Sequence, residues 1–121
     1  VRLGLKPEGG FAESPYAFTE ADLLRGKALY QSFCAICHGA RGEGDGRAIP
    51  LGVPKPRSYH DPAVRDQPEG YFYFAATNGF GRMLPYKSRI PERERWLIAH
   101  YIKRCLLSEA CPEEVVHAEV H

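Results

Sequence analysis

The chain has 121 residues, 44% of them hydrophobic and 26% charged, with a formal net charge of +1. That length suits one domain with terminal extensions, and the composition is ordinary for a globular chain. No basic cluster marks a nucleic-acid surface, so no nucleic-acid partner is expected, and no stretch approaches the ~18 apolar residues of a transmembrane helix.

Val1 is not an initiator methionine and no signal-peptide pattern follows it. A processed or trimmed chain is therefore expected, with room for a membrane anchor ahead of Val1. Residues 1–18 hold Gly4, Pro7, Gly9, Gly10 and Pro15 without a sustained period and read as an irregular extension. Phe11, Tyr16 and Phe18 are the apolar residues that could pin it down. The first helix is predicted to start at Thr19, where Thr19 and Asp22 form a capping-box pattern and Glu20 and Asp22 suit the macrodipole. Glycine inside a helix costs about 1 kcal/mol relative to alanine, so Gly26 implies the close approach of another helix.

That helix runs into Cys34-Ala35-Ile36-Cys37-His38, the C-x-x-C-H pattern of c-type haem attachment. Two thiols can add across the haem vinyl groups, and the imidazole that follows them becomes the proximal iron ligand. The other meanings of the pattern are a redox-active dithiol and half of a zinc site. Zinc needs a second ligand pair at metal spacing, and Cys105 and Cys111 lie far away and six positions apart. A redox pair opens a helix after a strand, and nothing ahead of Phe33 reads as one.

The run Gly39 to Gly46 lacks the lysine and hydroxyl residue of a phosphate-binding loop and reads as a tight turn beside the haem. Residues 47–70, punctuated by Pro50, Pro54, Pro56, Pro62 and Pro68, are expected to lack regular structure and to cover the cofactor. Pro68 ahead of residues 69–78 and Asn78-Gly79 after them predict a helix with Tyr71, Phe74 and Ala75 on one face. The only methionine, Met83, follows in a Gly/Pro-flanked loop, poorly placed for core packing and well placed to offer its thioether to the iron. His60 is the rival for that position; His100, His117 and His121 are weaker ones. After Pro91 a helix is predicted from Glu92 to Leu107, with acidic residues early, Lys103 and Arg104 late, and an apolar stripe through Trp96, Leu97, Ile98, Tyr101 and Ile102. The tail from 108 to 121 ends in a short, helix-compatible segment, His117 to His121.

Taken together, Gly26 with Tyr30, Cys34-Ala35-Ile36-Cys37-His38-Gly39, Gly42-x-Gly44-Asp45-Gly46, Asn78-Gly79, Met83-Leu84-Pro85-Tyr86 and Glu94-Arg95-Trp96 resemble the bacterial class I c-type cytochromes over residues 19–107. More narrowly, the extensions and the Pro56-Arg57 loop resemble the small monohaem cytochromes associated with alternative complex III, a bacterial quinol-oxidising assembly.

The resemblance implies an all-α fold wrapped around one covalent haem c, with Gly26 and Tyr30 meeting Ile98 and Tyr101 where the first and last helices cross. It implies His38 and Met83 as axial ligands and single-electron transfer, not enzymatic turnover. The place would be a respiratory chain between a quinol-oxidising complex and a terminal oxidase, in the periplasm or on the outer face of the cytoplasmic membrane. The alternative is a haem enzyme or gas sensor with a displaceable sixth ligand. Arg57 and Tyr59 could bond the haem propionates or be ordinary loop surface, and Asn78 could donate to the Met83 sulfur or cap its helix. Family members often have proline after Gly-Asp-Gly, in the region whose carbonyl orients the proximal imidazole; here it is Arg47, so the acceptor for His38 is open. Because such haems are attached outside the cytoplasm, Cys105 and Cys111 are expected to form a disulfide, the other outcome being two buried thiols.

Overall fold

The computed structural model describes residues 13–79 and 83–120. Their regular structure is helical, with no β-strand among the described residues: α1 (Glu20–Phe33), α2 (Ala35–His38), a 3₁₀ turn (Ile49–Leu51), α3 (Pro62–Arg65), α4 (Glu69–Asn78), α5 (Glu92–Tyr101), a π-helical turn (Ile102–Leu106) and α6 (Glu113–His117).

α1 begins where the capping box predicts. Thr19 Oγ1 accepts from the Asp22 amide at 3.1 Å, and Asp22 Oδ2 accepts from the Thr19 amide at 2.9 Å. The helix buries Leu23, Gly26, Leu29 and Tyr30 against α5. At Gly26 a Cβ would lie 3.2 Å from Leu97 Cγ, Leu97 O and Tyr101 Cβ. The two helices approach there so closely that a Cβ would press on α5 at less than an ordinary contact distance, which is the reason for glycine in mid-helix. Tyr101 is the partner the resemblance implies, while Leu97, not Ile98, faces the glycine. α4 closes the other side of α5: Tyr73 stacks on Trp96 with ring centroids 4.1 Å apart, and both are fully buried. Burying a side chain of this size contributes about 1.5–3 kcal/mol, so this trio of helices carries much of the stability.

Two expectations here need correction, and one, the shared face on α4, holds. The segment 47–70 is not wholly irregular, because Asp61 caps α3 by accepting from the Ala63 amide at 3.0 Å, with Pro62 at the first helical position. There proline starts a helix instead of breaking one, since its missing N–H has no intrahelical partner in any case. On α4, Tyr71, Phe74 and Ala75 do share a face, but it is half-buried; the core face is Phe72, Tyr73, Ala76 and Thr77. The last helix stops being α-helical after Tyr101, and its π-turn ends where the tail folds back, with Arg104 Nε donating to Ala110 O at 3.0 Å and Cys105 bridged to Cys111.

In the tail, the helix is Glu113–His117, started by Pro112, and Ala118 is extended, so the helical stretch precedes His117 instead of following it. Val115 is fully buried against α1. Lys27, only 8% exposed, reaches from α1 to donate to Val115 O, Val116 O and Ala118 O at 2.7, 3.0 and 2.8 Å. At the other end Tyr16 and Phe18 pack on the core, Phe18 against the His100 ring at 5.3 Å, with the Arg93 guanidinium over both rings. Phe11 lies outside the described residues.

Candidate functional site

α1 ends at Phe33 because Cys34 tilts out of register (φ −113°, ψ −38°) and opens the single turn of α2. His38 N donates to Cys34 O at 2.9 Å and Cys37 N to Cys34 O at 3.2 Å. Residues at i, i+3 and i+4 lie on one side of a helical turn, so Cys34, Cys37 and His38 are presented together. Both cysteines are free, whereas Cys105 and Cys111 are bridged, as expected for an oxidising compartment.

Burial, and then the neighbouring Cys37, push the Cys34 thiol up to about 12. A redox dithiol needs the opposite shift, since the thiolate is the nucleophile. Among the described residues, no group of three or more His, Cys, Asp or Glu side chains could hold a metal ion. Burial also lowers the His38 pKa to about 4, so the imidazole is neutral and keeps a lone pair for a metal. Its ring lies flat against Tyr59, centroids 4.8 Å apart and planes 17° from parallel. His38 Nδ1 is buried and has no hydrogen-bond partner among the described residues.

The loop after His38 runs back along α2. Gly44 N donates to His38 O at 2.8 Å, Gly46 N to Cys37 O at 3.1 Å and Ala48 N to Ile36 O at 3.0 Å. These satisfy carbonyls that a helix end otherwise leaves open. With Arg47 in place of proline, the loop fixes the backbone of the turn and not the imidazole.

Met83 sits half-buried on the loop leaving α4. Gly79 adopts φ +76°, and a Cβ there would strike Met83 O, so the loop folds Met83 back onto the helix end in a way only glycine permits. Tyr86 N donates to Ala76 O at 2.8 Å, closing the loop, and Tyr86 Oη donates to Phe33 O at 3.2 Å, joining it to the cysteine turn.

The remaining sequence candidates are placed as follows. Tyr59 is buried on His38, its phenol pushed well above the ordinary range by that burial. Arg57 is largely exposed and lies 3.8 Å from Asp61. Asn78 Nδ2 donates to Phe74 O at 3.5 Å, a bond within α4. His60 Nε2 donates to Arg41 O at 2.8 Å, His100 Nδ1 bonds Glu69, and His117 Nε2 lies 3.0 Å from Glu113 Oε2. His121 lies outside the described residues. Sequence reading missed Lys27 and the buried bonding of Arg95. For Arg95 a signal existed, a basic residue directly beside Trp96 and Leu97 in the apolar stripe.

Two free thiols and a neutral, half-buried imidazole on one turn fit a covalent haem, and the half-buried aromatic face of α4 suits an apolar macrocycle. Comparison with known proteins agrees. A reducing HAO-like protein complex of Kuenenia stuttgartiensis contains a similar chain, at 27% identity and a TM-score of 0.63 over 79% of this chain, which spans 48% of that one. A c-type cytochrome, KustC0563, shares the fold at 20% identity and a TM-score of 0.55, covering 69% of this chain and 98% of its own. No curated protein is similar enough to match. The family described as cytochrome c oxidase, cbb3-type, subunit III matches residues 21–102. The chain therefore belongs to that family, and is a bacterial class I c-type cytochrome with an all-α fold and a covalently bound haem c.

Proposed function

We propose that this cytochrome passes single electrons between proteins, with its haem held by Cys34 and Cys37 and ligated by His38 and Met83. The observation that carries the reading is the α2 turn, which sets two free thiols and a neutral imidazole side by side. Haem c supplies one-electron chemistry, its iron passing between ferric and ferrous. The two cysteines tether the cofactor, His38 offers a lone pair without having to lose a proton, and Met83 offers a soft thioether from a loop closed at both ends. With His38 and Met83 as its two protein ligands the iron would keep no open position for substrate, which is why a carrier is proposed over an enzyme.

The finer placement is a respiratory chain, between a quinol-oxidising complex of the alternative complex III kind and a terminal oxidase, in the periplasm or on the outer membrane face. The oxidase subunit in the family description supports the first part. The Cys105–Cys111 disulfide supports an oxidising compartment. Among the described residues no helix is long and apolar enough to cross a membrane.

The test is acid extraction followed by a redox titration. The haem should stay with the denatured protein, and the native protein should titrate as one reversible one-electron couple without binding carbon monoxide when reduced. Extractable haem defeats the attachment; rapid carbon monoxide binding favours the gas sensor or haem enzyme.

A further inference from the structure

Arg95 lies on α5 between Glu94 and Trp96 and is 7% exposed. A buried cation is costly unless its donors are bonded, and the usual partner is a carboxylate. The hydrogen bonds of Arg95 go to neutral oxygens instead. Nε donates to Thr77 Oγ1 at 3.0 Å, Nη2 to Tyr73 Oη at 3.2 Å, and Nη1 to Lys87 O at 3.0 Å and Ile90 O at 2.5 Å. The guanidinium carbon is also 5.4 Å from the centre of the Tyr73 ring.

These acceptors fall into two groups. Tyr73 and Thr77 belong to the last two turns of α4, before the loop that contains Met83. Lys87 and Ile90 belong to the chain that leaves it. One guanidinium thus holds both ends of that loop, from a helix whose opposite side is locked against α1 at Gly26. Tyr86 ties the loop as well, through its amide to Ala76 O and its phenol to Phe33 O. We infer that Arg95 is the positioning residue of the Met83 loop, setting how long the thioether stays on the iron between openings. This rests on Met83 being the axial ligand. The role needs arginine: a planar fork can serve α4 and the returning loop at once, whereas an ammonium is a point with three donors. Removing it also leaves Lys87 O and the buried Ile90 O short of a donor, which raises the energy of the closed loop specifically.

The experiment uses ferric holoprotein and cyanide, which can reach the iron only when the sixth ligand has left. Arg95→Lys and Arg95→Gln should keep the covalent haem and helical circular dichroism, yet bind cyanide at least tenfold faster in the absence of denaturant. Their far-red thioether band should also fade at a lower guanidinium concentration than their helical signal. Thr77→Val, which removes a single acceptor, should accelerate cyanide binding in the same direction by a smaller factor. A merely structural Arg95 would move both unfolding midpoints together and leave the cyanide rate within twofold of wild type, and that result overturns the inference. If both arginine variants fail to fold, an unchanged rate in Thr77→Val overturns it. Met83→Ala separates the two readings. Loss of the band there, with unchanged rates in the Arg95 and Thr77 variants, defeats the role of Arg95 alone. A band that persists in Met83→Ala defeats the ligand and, with it, this inference.

Discussion

The phenol of Tyr86 donates to the carbonyl of Phe33 at 3.2 Å, across 53 residues of sequence, and the two rings meet edge to face at 5.8 Å. Phe33 ends α1 and precedes the first haem-motif cysteine, while Tyr86 ends the Met83 loop. This contact ties the Met83 loop to the cysteine turn. Tyr86→Phe keeps the ring packing and removes the hydrogen bond, so unfolding by guanidinium should show a loss of about 1 kcal/mol. Tyr86→Ala, which also removes the ring, should lose more; equal losses would mean that the ring contributes nothing.

Lys27 serves as a C-terminal cap for α6, where backbone carbonyls lack partners and the helix dipole favours a cation. Lys27→Met retains most of the aliphatic stem and removes the charge. The expected loss is about 2–4 kcal/mol, as for a buried group leaving its partners unsatisfied. Amide exchange should accelerate across residues 113–118 well before it does in α1. Uniform acceleration through the chain would show that the tail is not a separately held unit.

The Cys105–Cys111 bridge closes a short loop, so its removal by a double serine variant should lower stability by about 2 kcal/mol, at the low end for disulfides. If Cys34 and Cys37 carry the haem as proposed, holoprotein unfolded without reductant should titrate no thiol; after reduction and separation it should titrate two. Two thiols before reduction would contradict the bridge.

Alkali should unfold the α1–α5 contact. Burial raises the Tyr101 pKa from 10 to about 12, and raises that of Tyr30, whose ring lies 5.6 Å from it, further still. A phenol that ionises later in the folded state contributes its full stability below pH 10 and loses it as pH rises from 10 toward 12. The thermal midpoint should therefore hold up to about pH 9 and fall above pH 10. Tyr101→Phe should flatten that decline; an identical slope would assign it to other groups.

Much of this was legible because the signals are local. Thr19 with Asp22 starts a helix through bonds three residues apart, Gly79 ends one through its own dihedral angle, and Cys34, Cys37 and His38 share a face because one turn is enough to align them. Pro68 and Pro91 read as helix starts in the sequence, but Pro62 and Pro112, which also sit at helix starts, do not, a distinction that depends on which way the next residues turn.

The sequence by itself therefore determined α1, α4, the start of α5, the cysteine turn and the lone thioether, since each depends on neighbours within a few residues. Only the tertiary structure decided what becomes of Lys27 and Arg95. Long basic side chains are solvated unless several oxygens converge on them, and those oxygens come from as far as 91 residues along the chain for Lys27 and from both ends of one loop for Arg95. It likewise settled that Gly26 meets Leu97 and Tyr101, because a close backbone approach belongs to two helices at once and is written in neither alone.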